Sequence, residues 1–136
     1  MPKSFNQKAK LLHLYQILLR KTDEEHPLTV PQIIEALARQ DIKAERKSIY
    51  DDLEALRLFG LDIQSRKGKV PGWFVGDRDF ELPEVKLLMD AVQSSRFITQ
   101  KKSDALIRKL EGLTSVHQAR QLQRQVYVDR RALYSK

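Results

Sequence analysis

Along the first sixty positions apolar residues recur at intervals of three and four. Leu11, Leu12, Leu14, Tyr15, Leu18 and Leu19 make a stripe that predicts a helix over about 7–21. "TDEEHP" ends it, because Pro27 cannot continue a helix and pushes His26 toward extended geometry. "LTV" at 28–30 is short and β-leaning. Thr29 stands as a hydroxyl cap ahead of Pro31, and a second helix follows to about 39 or 40 with Ile33, Ile34, Leu37 and Ala38 inward. A third helix is expected over about 45–59, with Ile49, Leu53, Leu56 and Phe59 as its buried stripe and Gly60 as its C-terminal stop.

The period then shortens to two. Leu61, Ile63 and Ser65 alternate with Asp62 and Gln64, "RKGKVPG" is a turn by its Gly and Pro content, and "WFV" is a second strand. From Pro83 the helical period returns. A fourth helix over about 83–97 carries Val85, Leu88, Met89 and Val92. Thr99 or Ser103 caps a fifth, with Leu106, Ile107, Leu110 and Leu113, stopping near Gly112. A last segment from Ser115 shows Val116, Ala119 and Leu122, and Val126 to Val128 lean to β. The order helix, short strand, helix, helix, basic hairpin is that of a winged helix-turn-helix. The expected fold is therefore mainly α with a small β-hairpin: a winged helix-turn-helix over 1–80, a helical linker or dimerisation segment over 81–125, and a further region from 126 to 136.

"TVPQIIEAL" followed by "ERKSIYDDLEALRLFGLDI" resembles the N-terminal DNA-binding part of WYL-domain transcriptional regulators, close to the DeoR-like winged helix. The residues that carry the likeness are Ser48-Ile49-Tyr50, Asp52-Leu53-Glu54, Leu56, Gly60 and Ile63, within a match over about 8–76. "FELPEVKLLMDAVQSSRFITQKKSDALIRKLEGL" is similar to the helical linker of the same regulators. The resemblance implies a bacterial, cytoplasmic, nucleoid-associated regulator of transcription that binds double-stranded DNA, with an effector ligand on a C-terminal WYL domain. Two features depart from the pattern. Asp51 stands where many relatives have Arg, and 126–136 reads as the start of a truncated WYL region. Trp73 belongs to the hairpin, not to a Trp-Tyr-Leu motif.

Composition refines this. Apolar residues are 41% of 136, enough for a core, and charged residues are 32%, above the roughly 25% average. The net charge of +7 favours an anionic partner. It is unevenly placed: residues 1–80 hold 14 Lys and Arg against 12 Asp and Glu, whereas 81–136 hold 11 against 6. A nucleic-acid surface in the first part must therefore come from placement. No cysteine is present, which excludes disulfides and thiolate chemistry. No apolar run approaches the roughly 18 residues of a membrane span, so no membrane partner is expected.

A major-groove reader needs cations and short hydrogen-bonding side chains at the front of one helix. Lys43, Arg46, Lys47, Ser48 and Tyr50 supply that set, alongside Glu45. Arg46 and Lys47 suit guanine edges or phosphate; Ser48 and Tyr50 suit phosphate oxygens or thymine methyls. Arg66, Lys67 and Lys69 make a basic wing over 66–71 for the backbone or minor groove. Thr29 and Gln32 sit where a helix N-terminus meets phosphate, or where they simply cap. The bland alternative to all of these is a solvated charged face. Trp73 and Phe74 read as core anchors of the wing.

Catalysis finds no support: His13, His26 and His117 are scattered, and Asp51, Asp52 and Glu54 lack a ligand partner or phosphate loop. No enzyme activity, metal or cofactor is expected. A single winged helix reads half a palindrome, so a homodimer through Val85, Leu88, Met89, Val92, Leu106 and Leu110 is expected, with packing inside one chain as the alternative. Two other functions fit a winged helix: a protein–protein interaction module, or the regulatory N-terminus of a larger enzyme.

Overall fold

A computed structural model describes residues 3–124. The elements are α1 (Lys3–Lys21), α2 (Val30–Ala38), α3 (Arg46–Phe59), β1 (Ile63–Arg66), β2 (Gly72–Val75), α4 (Leu82–Ser94) and α5 (Gln100–Glu111), and residues 116–124 are again helical. The protein is mainly helical with one small antiparallel hairpin. It divides into two compact units, with the boundary between Arg78 and Asp79. The region expected over 126–136, with its β-leaning Val126 to Val128, lies outside the described residues.

In the first unit α1, α2 and α3 surround one core of Leu14, Ile17, Leu18, Val30, Ile33, Leu37, Ile49, Leu53 and Leu56, closed by Ile63 and Val75 of the hairpin. The three- and four-residue spacings turn these side chains to one side of each helix. Three expected inward positions point out instead: Leu12 is 68% exposed, Phe59 77%, and Ala38 is also exposed. Each lies off the core-facing arc once the helix is laid down at 3.6 residues per turn. Phe59 meets Tyr15 edge-on at 6.3 Å across the surface.

Thr29 caps α2 as expected. Its hydroxyl accepts from the Gln32 backbone N–H at 3.3 Å, and Gln32 Oε1 accepts from the Thr29 N–H at 2.8 Å. This reciprocal box satisfies two donors that a helix start otherwise leaves open and contributes on the order of 1 kcal/mol.

The hairpin pairs Ile63 with Val75 and Arg66 with Gly72. The β-leaning "LTV" contributes one residue to it: Leu28 bridges Trp73, while Val30 already opens α2. Gly72 has φ +141°, and a Cβ there would stand 2.5 Å from the Leu28 carbonyl carbon, so only glycine fits. Arg78 fastens the end of the unit. Its guanidinium donates to the carbonyls of Leu19 at 2.7 Å and Thr22 at 2.6 Å, while the Thr22 hydroxyl accepts from Val75 N–H at 3.0 Å. Half-burial pulls the Arg78 pKa below its usual value, with the Asp23 carboxylate opposing that effect.

The second unit is built on a smaller core of Val85, Met89, Ile107 and Leu122, with Leu82, Val92 and Leu110 packed against it. Thr99 caps α5 by accepting from Lys102 N–H at 3.2 Å, whereas Ser103, the other candidate, is buried. Gly112 ends α5 in the right-handed region, not in the positive-φ conformation that often follows a helix. Several residues of the expected dimer face pack within the chain. Val85 and Met89 are 0% and 1% exposed within the chain's own core, and Val92 and Leu110 lean on it, so their apolar surface is already used. Leu106 is half-buried and Leu88 is 38% exposed. Among the described residues of this unit, Phe80, Leu87, Leu88, Phe97 and Leu113 are the exposed large apolar side chains, so Leu88 alone of the expected face is among them.

Candidate nucleic-acid interface

α3 begins at Arg46, with Glu45 in extended geometry before it. Successive residues lie about 100° apart around a helix. Ile49, Leu53 and Leu56 fix the inward direction because all three are buried. Three other faces follow from that. Lys47, Asp51, Glu54 and Leu58 form the outermost edge, and all are exposed. Arg46, Tyr50 and Arg57 form the flank toward the hairpin. Ser48, Asp52 and Phe59 form the flank toward α1.

The hairpin flank is an aromatic and cationic row. The Tyr50 ring meets Trp73 edge-on at 6.1 Å. The Arg46 guanidinium donates to the Tyr50 hydroxyl at 3.4 Å and lies 5.9 Å from its ring centre. Arg57 lies 6.0 Å from the Trp73 ring centre, donates to the Ile63 carbonyl at 3.0 Å and pairs with Glu54 at 2.8 Å. Trp73 packs partly against the core, so it serves as the expected anchor and also as the seat for Tyr50.

The α1 flank is occupied within the protein. The buried Lys10 ammonium donates to the Ser48 hydroxyl and pairs with Asp52 at 3.1 Å. No hydrogen-bonding geometry reaches the buried Asp52 Oδ2, so the Lys10 charge is what compensates it. Ser48 is therefore half-buried and engaged, not displayed beside Arg46 and Lys47 as the sequence suggested.

Of the other expected contacts, Lys43 is exposed in the connector before α3. Arg66, Lys67 and Lys69 are exposed around Gly68, whose φ is +117°. Arg66 also rests 5.2 Å from the Phe74 ring centre. Thr29 and Gln32 are committed to each other as the cap, although Gln32 remains exposed. At the base of the hairpin Asp62 accepts from Asp77 N–H at 2.7 Å and from Gln64 Nε2 at 2.8 Å. The backbone bond from Asp77, chiefly, holds the Asp62 carboxyl below its ordinary pKa.

Sequence reasoning missed Lys10, Arg57 and Gly72. Lys10 lies one position before the first leucine of its stripe, so a core-edge cation was legible in spacing alone. Arg57 and Gly72 carried no such signal, because their partners are distant in sequence.

Comparison with known proteins finds no matching family model, no matching curated protein and no matching solved structure. Among the described residues no helix is long and apolar enough to cross a membrane.

Proposed function

We propose that the first unit is a winged helix-turn-helix of a transcriptional regulator, and that it binds double-stranded DNA. The observation that carries this is the exposure of Arg46 and Lys47 at the first turn of α3, beside a hairpin whose tip exposes Arg66, Lys67 and Lys69. In such a fold the front of the third helix enters the major groove and the wing braces the backbone. Thr29 and Gln32 lie at the start of the helix before it, where phosphate meets the α2 N-terminus. The resemblance to WYL-domain regulators points the same way, and a homodimer would pair two half-sites.

A second reading is a protein–protein interaction module. It is favoured by Asp51 and Leu58 on the outer edge of α3 and by the exposed Leu12 and Phe59.

Fluorescence anisotropy on a labelled mixed-sequence duplex separates the two. For a DNA reader with six or more phosphate contacts, affinity falls on the order of 10³-fold between about 50 and 200 mM salt. The Lys67→Ala, Lys69→Ala double variant should then bind all sequences more weakly and lower the salt slope by about two. Absence of binding at low salt would sink the DNA reading and leave the interaction module.

A further inference from the structure

Among the described residues, one guanidinium on the hairpin flank of α3 is held by a single tyrosine, through its hydroxyl and its ring. Arg57 on the same flank is spent on Glu54 and the Ile63 carbonyl. Arg46 instead leans on Tyr50, and Tyr50 is in turn seated on Trp73 of the wing. We infer that Arg46, positioned by Tyr50, is the residue that specifies sequence, and that the base it reads is a guanine. This rests on the DNA-binding reading above and names what that site recognises.

The reasoning is about donors and acceptors. Arginine has five N–H donors in a planar fork and no acceptor. Tyr50 accepts from Arg46 on its oxygen, which turns its own O–H proton away from Arg46 as a further donor. The pair thus offers donors at the front of the helix. In the major groove guanine alone presents two acceptors side by side, N7 and O6. Adenine and cytosine present an amino group that would meet the fork donor to donor, and thymine offers one acceptor beside a methyl. The carboxylates nearby do not reverse this preference. Glu54 is paired with Arg57, and Asp51 lies more than a third of a turn round the helix from Arg46. Lys47 has no such tyrosine support and projects along the outer edge, where a flexible point charge suits phosphate.

Seating matters because a free arginine samples many rotamers, and ordering it costs binding free energy. Tyr50 is 41% exposed and its ring rests edge-on against Trp73, so the seat for Arg46 is itself held by the wing at the protein surface. Tyr50 is a positioning residue in this scheme. Its loss should lower discrimination between sequences more than it lowers non-specific affinity.

The experiment uses the full 136-residue chain. Preferred duplexes are first selected from a randomised pool, and each guanine in the selected site is then replaced by adenine and by 7-deazaguanine. Affinities are measured by anisotropy for the native chain, Arg46→Ala, Arg46→Lys and Tyr50→Phe, each checked for an unchanged melting curve. The expected result is one guanine whose replacement by adenine costs the native chain 10-fold or more, and Arg46→Ala no more than 2-fold. The 7-deaza change should weaken the native chain several-fold and leave Arg46→Ala indifferent. Arg46→Lys should keep non-specific affinity yet lose most of the discrimination, and Tyr50→Phe should lose part of it. If Arg46→Ala weakens every duplex by the same factor, Arg46 is a phosphate contact and the inference is overturned while DNA binding stands. If the native chain selects no duplex and binds none at low salt, the DNA reading falls as well.

Discussion

Leu28 and Trp73 exchange both of their backbone hydrogen bonds, at 2.9 Å in one direction and 2.7 Å in the other. A residue just before α2 is thereby bridged to the outer edge of the two-stranded hairpin. That pairing locks the wing to the segment that starts the second helix, and Gly72 is what lets the two backbones meet.

Gly72→Ala should therefore cost more than an ordinary positive-φ substitution. Backbone strain alone is on the order of 1–3 kcal/mol. Here it is joined by a Cβ driven against the Leu28 backbone at 2.5 Å. Gly60→Ala is the control, since its φ is +131° but nothing lies within 4 Å of a Cβ there. Urea unfolding of the two variants should rank Gly72→Ala as clearly the less stable. Equal losses would show that the close approach relaxes freely.

Lys10 and Asp52 tie α1 to α3 at 3.1 Å with side chains only 10% and 20% exposed. Removing one partner leaves a charge with little water around it, so Lys10→Met or Asp52→Leu alone should destabilise by about 2–4 kcal/mol. The double variant should recover much of that, because an apolar pair replaces the ion pair without a stranded charge. A double-mutant cycle in urea measures the coupling. Additive losses would mean the pair does not act as one.

Asp62 makes the hairpin's stability depend on acid. Its carboxyl is held below the unfolded value of about 3.9. A depressed folded pKa stabilises the protein above the unfolded value, and that contribution is lost as pH falls through the folded one. The group is still in contact with water, so solvent screening keeps the effect below about 1 kcal/mol. Asp62→Asn should be the less stable protein at pH 6, and the gap should narrow as pH falls below the unfolded value. A gap that persists at low pH would assign the effect to packing.

In the second unit Met89 and its helix neighbour Leu87 should behave oppositely. Met89 is 1% exposed and Leu87 69%. Met89→Ala opens a cavity and should cost about 2–5 kcal/mol, read as faster amide exchange in α4 and α5. Leu87→Ala should stay within about 0.5 kcal/mol. A large cost at Leu87 would show that this side chain is covered in solution.

The helix and strand order was legible because the apolar period is strong in both units: Leu14, Leu18, Ile33, Leu37, Ile49 and Leu53 in the first, and Val85, Met89 and Ile107 in the second, all sit where spacing puts them. What spacing cannot convey is which neighbour fills a given arc. Phe59 continues the α3 stripe by sequence yet lies outside the core, since the stripe drifts round the helix over three turns. Val85 and Met89 are correctly apolar, but periodicity does not say whether the covering surface is α5 or a second copy. At the candidate interface the exposed cations Arg46, Lys47, Lys67 and Lys69 were legible from composition and position. The engagement of Ser48 by Lys10, and of Arg46 by Tyr50, was not, because each is a tertiary geometry.

Trp73 is the chain's single tryptophan, and it stands against Tyr50 and Arg57 where the hairpin meets α3. The protein thus carries its own optical reporter at one defined seam. Indole emission, excited selectively away from the tyrosines, reads the polarity and quenching of that place and of no other. Titrations can follow it on the native chain with no dye attached.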